Sequence, residues 1–139
     1  MEAQDCKTRY PIILVHGTGF RDWGYWGRVP KELQKHGAAV YFGGQDGWAT
    51  VEENARALRA RVEEVLAETG SDKVHLVAHS KGGLDVRYLV SSLGMAPKVA
   101  SVSLVSVPNH GSRTMDVHSR MPGFLFRIAG FFVNLWYRL

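Results

Sequence analysis

The run Val74-His75-Leu76-Val77-Ala78-His79-Ser80-Lys81-Gly82-Gly83 constrains this chain more than any other. A short apolar stretch leads straight into a serine, and a helical pattern follows at once. Two positions before and two after the serine stand Ala78 and Gly82, both nearly bare of side chain. A serine hydroxyl needs special placement to act as a nucleophile. A sharp strand-to-helix turn lifts it above the edge of a sheet, and such a turn brings strand and helix so close that only small residues fit beside it. The pattern predicts Ser80 as a nucleophile on an elbow framed by Ala78 and Gly82. The competing reading is an ordinary serine in a strand-end turn.

The flanking sequence predicts the sheet that such an elbow needs. Tyr10 to Val15 reads as a buried strand ended by His16-Gly17. Thr18 to Gly27 reads as a loop rich in Gly and Trp. Val29 to His36 is a short helix, with Pro30 in its first turn and Gly37 as its stop. Ala38 to Phe42 is a second strand, followed by the turn cluster Gly43-Gly44-Gln45-Asp46-Gly47. Thr50 to Thr69 is the clearest helix: Thr50 and Glu53 make a capping box, and Gly70 ends it. Val51, Ala55, Leu58, Val62, Val65 and Leu66 share one face, and the opposite face is charged. Lys73 to Ala78 is the third strand, Lys81 to Leu93 the helix behind the elbow, and Val99 to Val105 a fourth strand. Strands that alternate with helices predict a parallel sheet covered on both faces.

Composition narrows the function classes. With 139 residues the chain is about one domain. Seventeen Lys and Arg are spread among thirteen acids with no basic run, so no nucleic-acid partner is expected. Cys6 is the single cysteine, which excludes an internal disulfide. The first residues show no charged stretch followed by an apolar run, so no signal peptide is visible and a cytoplasmic location is expected. The histidines lack the spacing of a zinc site, and no metal or cofactor is expected.

The residues from Tyr10 to about Ser112 resemble those of bacterial lipases and esterases of the α/β-hydrolase fold. The resemblance rests on Tyr10 to Gly17, the Trp23-Gly24-Tyr25-Trp26-Gly27 loop, the capped helix from Thr50, Lys73 to Tyr88, and Val99 to Ser112. His16-Gly17 at the end of the first strand, 64 residues before Ser80, strengthens it. Ala78 stands where the first glycine of the elbow motif usually does. The resemblance implies a partial α/β-hydrolase: a mostly parallel sheet of about four strands with helices on both faces. It implies a lipase-like carboxylic-ester hydrolase that works through a serine nucleophile and an acyl-enzyme, without a cofactor. It also implies that the backbone N–H groups of Thr18 and Lys81 form the oxyanion hole, and that His16 and Gly17 brace the loop beneath it. A small-molecule or lipid ester is the implied substrate. Two other readings share these residues: an inactive fragment or binding module that keeps the elbow, and a thioesterase or amidase of the same fold.

The family places its acid and its histidine after the serine, in that order, on later strands. Only 59 residues follow Ser80, and they read as one strand and then a helix. The chain is therefore expected to be the N-terminal part of a hydrolase, with near-background turnover on simple esters when alone. His110, Asp116 and His118 are the downstream candidates for base and acid, but they crowd one segment, where a relay is poorly built. His110 and His79 read as bracing or packing residues. Residues 113–139 read as a lid-like segment. Phe124, Leu125, Ile128, Phe131, Phe132, Leu135 and Trp136 follow a helical spacing, which suggests contact with a lipid interface through residues 124–136, or packing on a larger core.

Overall fold

The computed structural model describes residues 5–19 and 21–113, with Asp116, Phe124, Leu125, Ile128, Phe131 and Phe132. It divides into two compact units, Met1–Val107 and Pro108–Leu139. In the first unit four strands, β1 (Ile12–Val15), β2 (Val40–Phe42), β3 (Val74–His79) and β4 (Val99–Val105), form one parallel sheet in the order β2-β1-β3-β4. Four helices connect them: α1 (Asp22–Trp26), α2 (Val29–Lys35), α3 (Val51–Thr69) and α4 (Lys81–Ser91). Ala96–Lys98 adds a short 3-10 turn before β4.

β1 is central, and all four of its residues are buried. A strand covered on both faces has no reason to alternate apolar with polar residues. Its side chains still alternate between faces. Ile13 and Val15 join Leu76 and Ala78 against Ala55, Leu58, Val62 and Val65 of α3 and Val86 and Leu89 of α4. Ile12 and Leu14 join Ala38 on the other face, under Trp26 of α1 and Leu33 of α2. The sheet thus has helices on both sides, and the four expected strands are all present, most of them trimmed by one or two residues.

The α3 boundaries follow from its ends. The Thr50 hydroxyl accepts the Glu53 amide at 3.2 Å, and the Glu53 carboxylate accepts the Thr50 amide at 3.0 Å. Gly70 closes the helix at φ 67°, a left-handed conformation that costs glycine little. The backbone and side-chain bonds from Thr50 hold the Glu53 carboxyl below its ordinary value. A carboxyl lowered in the folded state stabilises it fully above the unfolded value and loses that effect as pH falls through the folded one. Thr50→Ala is expected to cost about 1 kcal/mol at neutral pH, with the gap to wild type narrowing in acid. Urea titrations of both chains at the two pH values check this.

Two expectations need correction. Residues 18–27 are not all loop, because Asp22–Trp26 forms the short helix α1. Its aromatic residues dock and supply what propensity does not: Trp23 meets the Phe42 ring edge-on at 5.0 Å, and Tyr25 meets Trp26 at 5.7 Å. α4 stops at Ser91 rather than Leu93, and the chain turns at Gly94 with φ 69°.

β4 ends the sheet, and Val102, Leu104 and Val105 on it are exposed. Val102 and Leu104 line a shallow groove with Val86 and Val90 of α4. A parallel edge with apolar side chains is a template for association. The isolated chain is therefore expected to self-associate at micromolar concentration, and Leu104→Lys to shift it toward monomer in sedimentation velocity. An unchanged distribution would place the association elsewhere.

Candidate active site

The C-terminal ends of β1 and β3 lie side by side, with Val15 paired to Ala78. Directly beyond them stand the loop His16-Gly17-Thr18 and the turn at Ser80. Ser80 has φ 53° and ψ −130°, a conformation that residues with a Cβ rarely adopt. Two bonds fix it there: its amide donates to the Val105 carbonyl oxygen at 3.0 Å, and its own carbonyl oxygen accepts the Gly83 amide at 3.0 Å. The strained turn points the chain from β3 into α4 within one residue, so that Lys81 begins the helix.

The small residues around the serine are required by contact. A Cβ on Gly82 would overlap the His16 carbonyl oxygen and lie 2.8 Å from the Val15 carbonyl oxygen. A Cβ on Gly83 would overlap the Val107 side chain. On Gly17 it would stand 2.6 Å from the Tyr25 hydroxyl and 2.8 Å from Ser80 Cβ. The loop after β1 thus touches the serine itself. Ala78, fully buried, has its methyl in the core beneath the turn. Thr18 is half-buried and follows Gly17 directly. Lys81 opens α4, where first-turn N–H groups have no partner within the helix and the helix dipole favours negative charge.

His16 is buried, with Nδ1 at 2.8 Å from the Gly17 carbonyl oxygen and Nε2 at 2.9 Å from that of Gln45. Both ring nitrogens face main-chain carbonyl oxygens rather than the Ser80 hydroxyl. His79 Nδ1 bonds the Tyr25 hydroxyl. Burial raises the Tyr25 phenol above its ordinary value, while the bond from the Gly17 amide works in the opposite direction. His75 Nδ1 bonds Ser101 Oγ on the neighbouring strand at 2.7 Å. Among the described residues, no histidine bonds the Ser80 hydroxyl. His110 and Asp116 belong to the second unit, and His118 lies outside the described residues.

Sequence reasoning missed four participants: Tyr25, Gln45, Asn54 and Asp85. Gln45, Asn54 and Asp85 are almost fully buried. Gln45 Nε2 donates to the His16 carbonyl oxygen at 2.7 Å. Asp85 accepts Lys81 Nζ at 3.0 and 3.3 Å and Asn54 Nδ2 at 3.0 Å. Burial pushes the Asp85 carboxyl up, and Lys81 and Asn54 pull against that shift. The legible signal was Asn54, a polar residue beside Ala55 on the stripe of α3 that faces the core.

A parallel sheet wound on both sides, with a strained serine at a strand-to-helix turn, defines the α/β-hydrolase fold. Residues 9–115 match the family model described as Lipase (class 2), and the chain belongs to that family. It is 42% identical over 118 residues to a triacylglycerol lipase of Pseudarthrobacter phenanthrenivorans, an alignment covering 78% of this chain and 36% of the relative. A triacylglycerol lipase of Vibrio cholerae is 39% identical over 116 residues, covering 80% of this chain and 36% of that one. The mature form of the Bacillus licheniformis lipase BlEst2 superposes with a TM-score of 0.74 at 27% identity, covering 92% of this chain and 52% of the lipase. The chain therefore spans about a third of the length of the curated relatives it matches.

Proposed function

We propose that this chain carries the nucleophile and the oxyanion site of a serine hydrolase acting on lipid carboxylic esters. The observation that carries the proposal is Ser80 at φ 53° on the turn between β3 and α4, in contact with Gly17. Ser80 Oγ attacks the ester carbonyl carbon and its proton passes to a base. The C–O bond to the alcohol then breaks, and the alcohol leaves with that proton. Water attacks the acyl-enzyme in the same way and frees the acid. Each tetrahedral oxyanion accepts bonds from the Thr18 and Lys81 amides, a type of donor worth about 3 kcal/mol to the transition state. His16 and Gly17 hold the loop that presents Thr18. The base comes from outside residues 5–107, where His16, His75 and His79 bond other groups and His36 faces Asp5 at 3.9 Å. The lipase class of the relatives supports a lipid ester as substrate.

In the same reading, residues 113–139 act as a lid-like segment that meets the lipid. Phe124, Leu125, Ile128, Phe131 and Phe132 are helical and exposed at a spacing that puts them on one face.

The test is covalent labelling by a fluorophosphonate, with the adduct located by mass spectrometry. It uses the natural protein that contains this sequence. A single adduct on Ser80, absent from Ser80→Ala, is expected. Label retained by that variant overturns the assignment. Comparison of ester, thioester and amide substrates with one acyl group separates lipase from thioesterase or amidase activity.

A further inference from the structure

Three polar residues on separate elements are buried beside the site for no reason of packing. Asn54 on α3, Asp85 on α4 and Gln45 in the turn after β2 each have at most 2% of their surface exposed. Burying polar groups, a carboxylate above all, is costly unless each finds partners. Asn54 and Asp85 find each other and the turn at Asp46, and the Gln45 side-chain amide nitrogen finds the His16 carbonyl oxygen, while Gln45 Oε1 stays without a partner among the described residues. Asp85 Oδ2 accepts Asn54 Nδ2 at 3.0 Å. The same Nδ2 donates to the Asp46 carbonyl oxygen at 2.7 Å, and Asn54 Oδ1 accepts the Asp46 amide at 3.2 Å. Next along the chain, Gln45 grips His16 in both directions, at 2.7 Å and 2.9 Å. Gly47 closes the turn against the same loop, where a Cβ would lie 2.9 Å from the Gly19 amide nitrogen and 3.1 Å from the Gly17 carbonyl oxygen.

At its other end this chain of bonds reaches the residue after the serine. Asp85 stands one helical turn beyond Lys81 and holds its ammonium with both oxygens. The path therefore begins on the first residue of α4 and ends on the loop after β1. Those are the two segments whose amides must converge on one oxygen atom. Donors to an oxyanion act well only when held to within a fraction of an ångström before the reaction starts. Hydrophobic contacts alone do not fix two backbone segments that closely, because apolar surfaces slide at little cost while hydrogen bonds are directional.

We propose that Asp85 and Asn54 are positioning residues: they form a buried bridge that holds the loop carrying the Thr18 amide in register with the Lys81 amide. The inference rests on the oxyanion roles proposed above for those two amides. It assigns the bridge no contact with substrate.

The experiment has two arms. In the first, amide hydrogen exchange is followed in this chain and in Asn54→Ser. The Gly17 amide, which Asn54 does not touch, should exchange at least tenfold faster in the variant, while the amides of Val62 and Leu76 keep their wild-type rates. In the second, the rate of Ser80 phosphonylation is resolved into reagent affinity and maximal rate, again on the natural protein that contains this sequence. Asn54→Ser and Asp85→Leu should each lower the maximal rate about tenfold and leave affinity within twofold. Their double variant should be no slower than either alone, because one bridge is broken once. Asp85→Asn keeps an acceptor for Asn54 and should stay within threefold of wild type. If Asp85→Leu does not fold, Asn54→Ser and Asp85→Asn carry the comparison. Unchanged Gly17 exchange in Asn54→Ser overturns the bridge, as does a double-variant loss equal to the product of the single losses. Failure of the wild-type chain to be labelled at Ser80 overturns the hydrolase reading instead, and the exchange arm still decides the bridge.

Discussion

Gly82→Val is expected to remove about 3 kcal/mol or more of folding stability, at or beyond the upper end of overpacked sites. The first atom of any side chain there would overlap the His16 carbonyl oxygen and crowd that of Val15. Both belong to the backbone at the end of the central strand. A flexible side chain can swing aside, but a strand held by β2 on one edge and β3 on the other cannot. Relief requires α4 to move off the sheet, which opens the contacts of Val86 and Leu89 with the core. Domains of this size have only about 5–15 kcal/mol in total, so such a loss lowers the urea midpoint sharply. A midpoint equal to wild type would show that α4 does not approach β1 as closely as described.

Ser80→Gly is expected to raise stability by about 1 kcal/mol and to abolish phosphonylation at the same time. A residue with a Cβ at φ 53° and ψ −130° pays roughly 1–3 kcal/mol in strain. Glycine relieves that strain and gives back about 0.5–1 kcal/mol through the greater freedom of its unfolded chain. The two backbone bonds at this position, to Val105 and from Gly83, need no side chain and survive the change. Opposite signs for stability and reactivity are the mark of a turn kept strained for the sake of its side chain. Chemical denaturation together with intact-mass labelling reads both. A Ser80→Gly chain less stable than wild type would mean that the hydroxyl contributes to the fold, and the argument from strain would lapse.

The sequence determined the sheet and the place of the serine through strictly local rules. Thr50, Glu53 and Gly70 carry the chemistry that starts and stops α3 within their own side chains and backbone freedom, so the helix was legible at both ends. Val99 to Val105 formed as expected. Gly82 announced a close approach because smallness at a fixed offset has few other uses, and the structure supplies what it approaches, the carbonyl oxygens of His16 and Val15. Asn54 could have been noticed as a polar residue on an apolar stripe, but nothing local names its partner.

What only the tertiary structure decided depends on distance along the chain. Asp85 meets Asn54 across 31 residues, and Gln45 meets His16 across 29. A hydrogen bond between residues so far apart is set by strand order and helix packing, and neither leaves a trace in composition or period. Helix α1 likewise forms because Trp23 finds Phe42 on β2, a contact that overrides the loop propensity of its own Gly24. Local steric and capping rules were enough to place Ser80 on its turn. The bonds that seat the neighbouring loop against that turn exist only because the sheet brings β1 and β3 together.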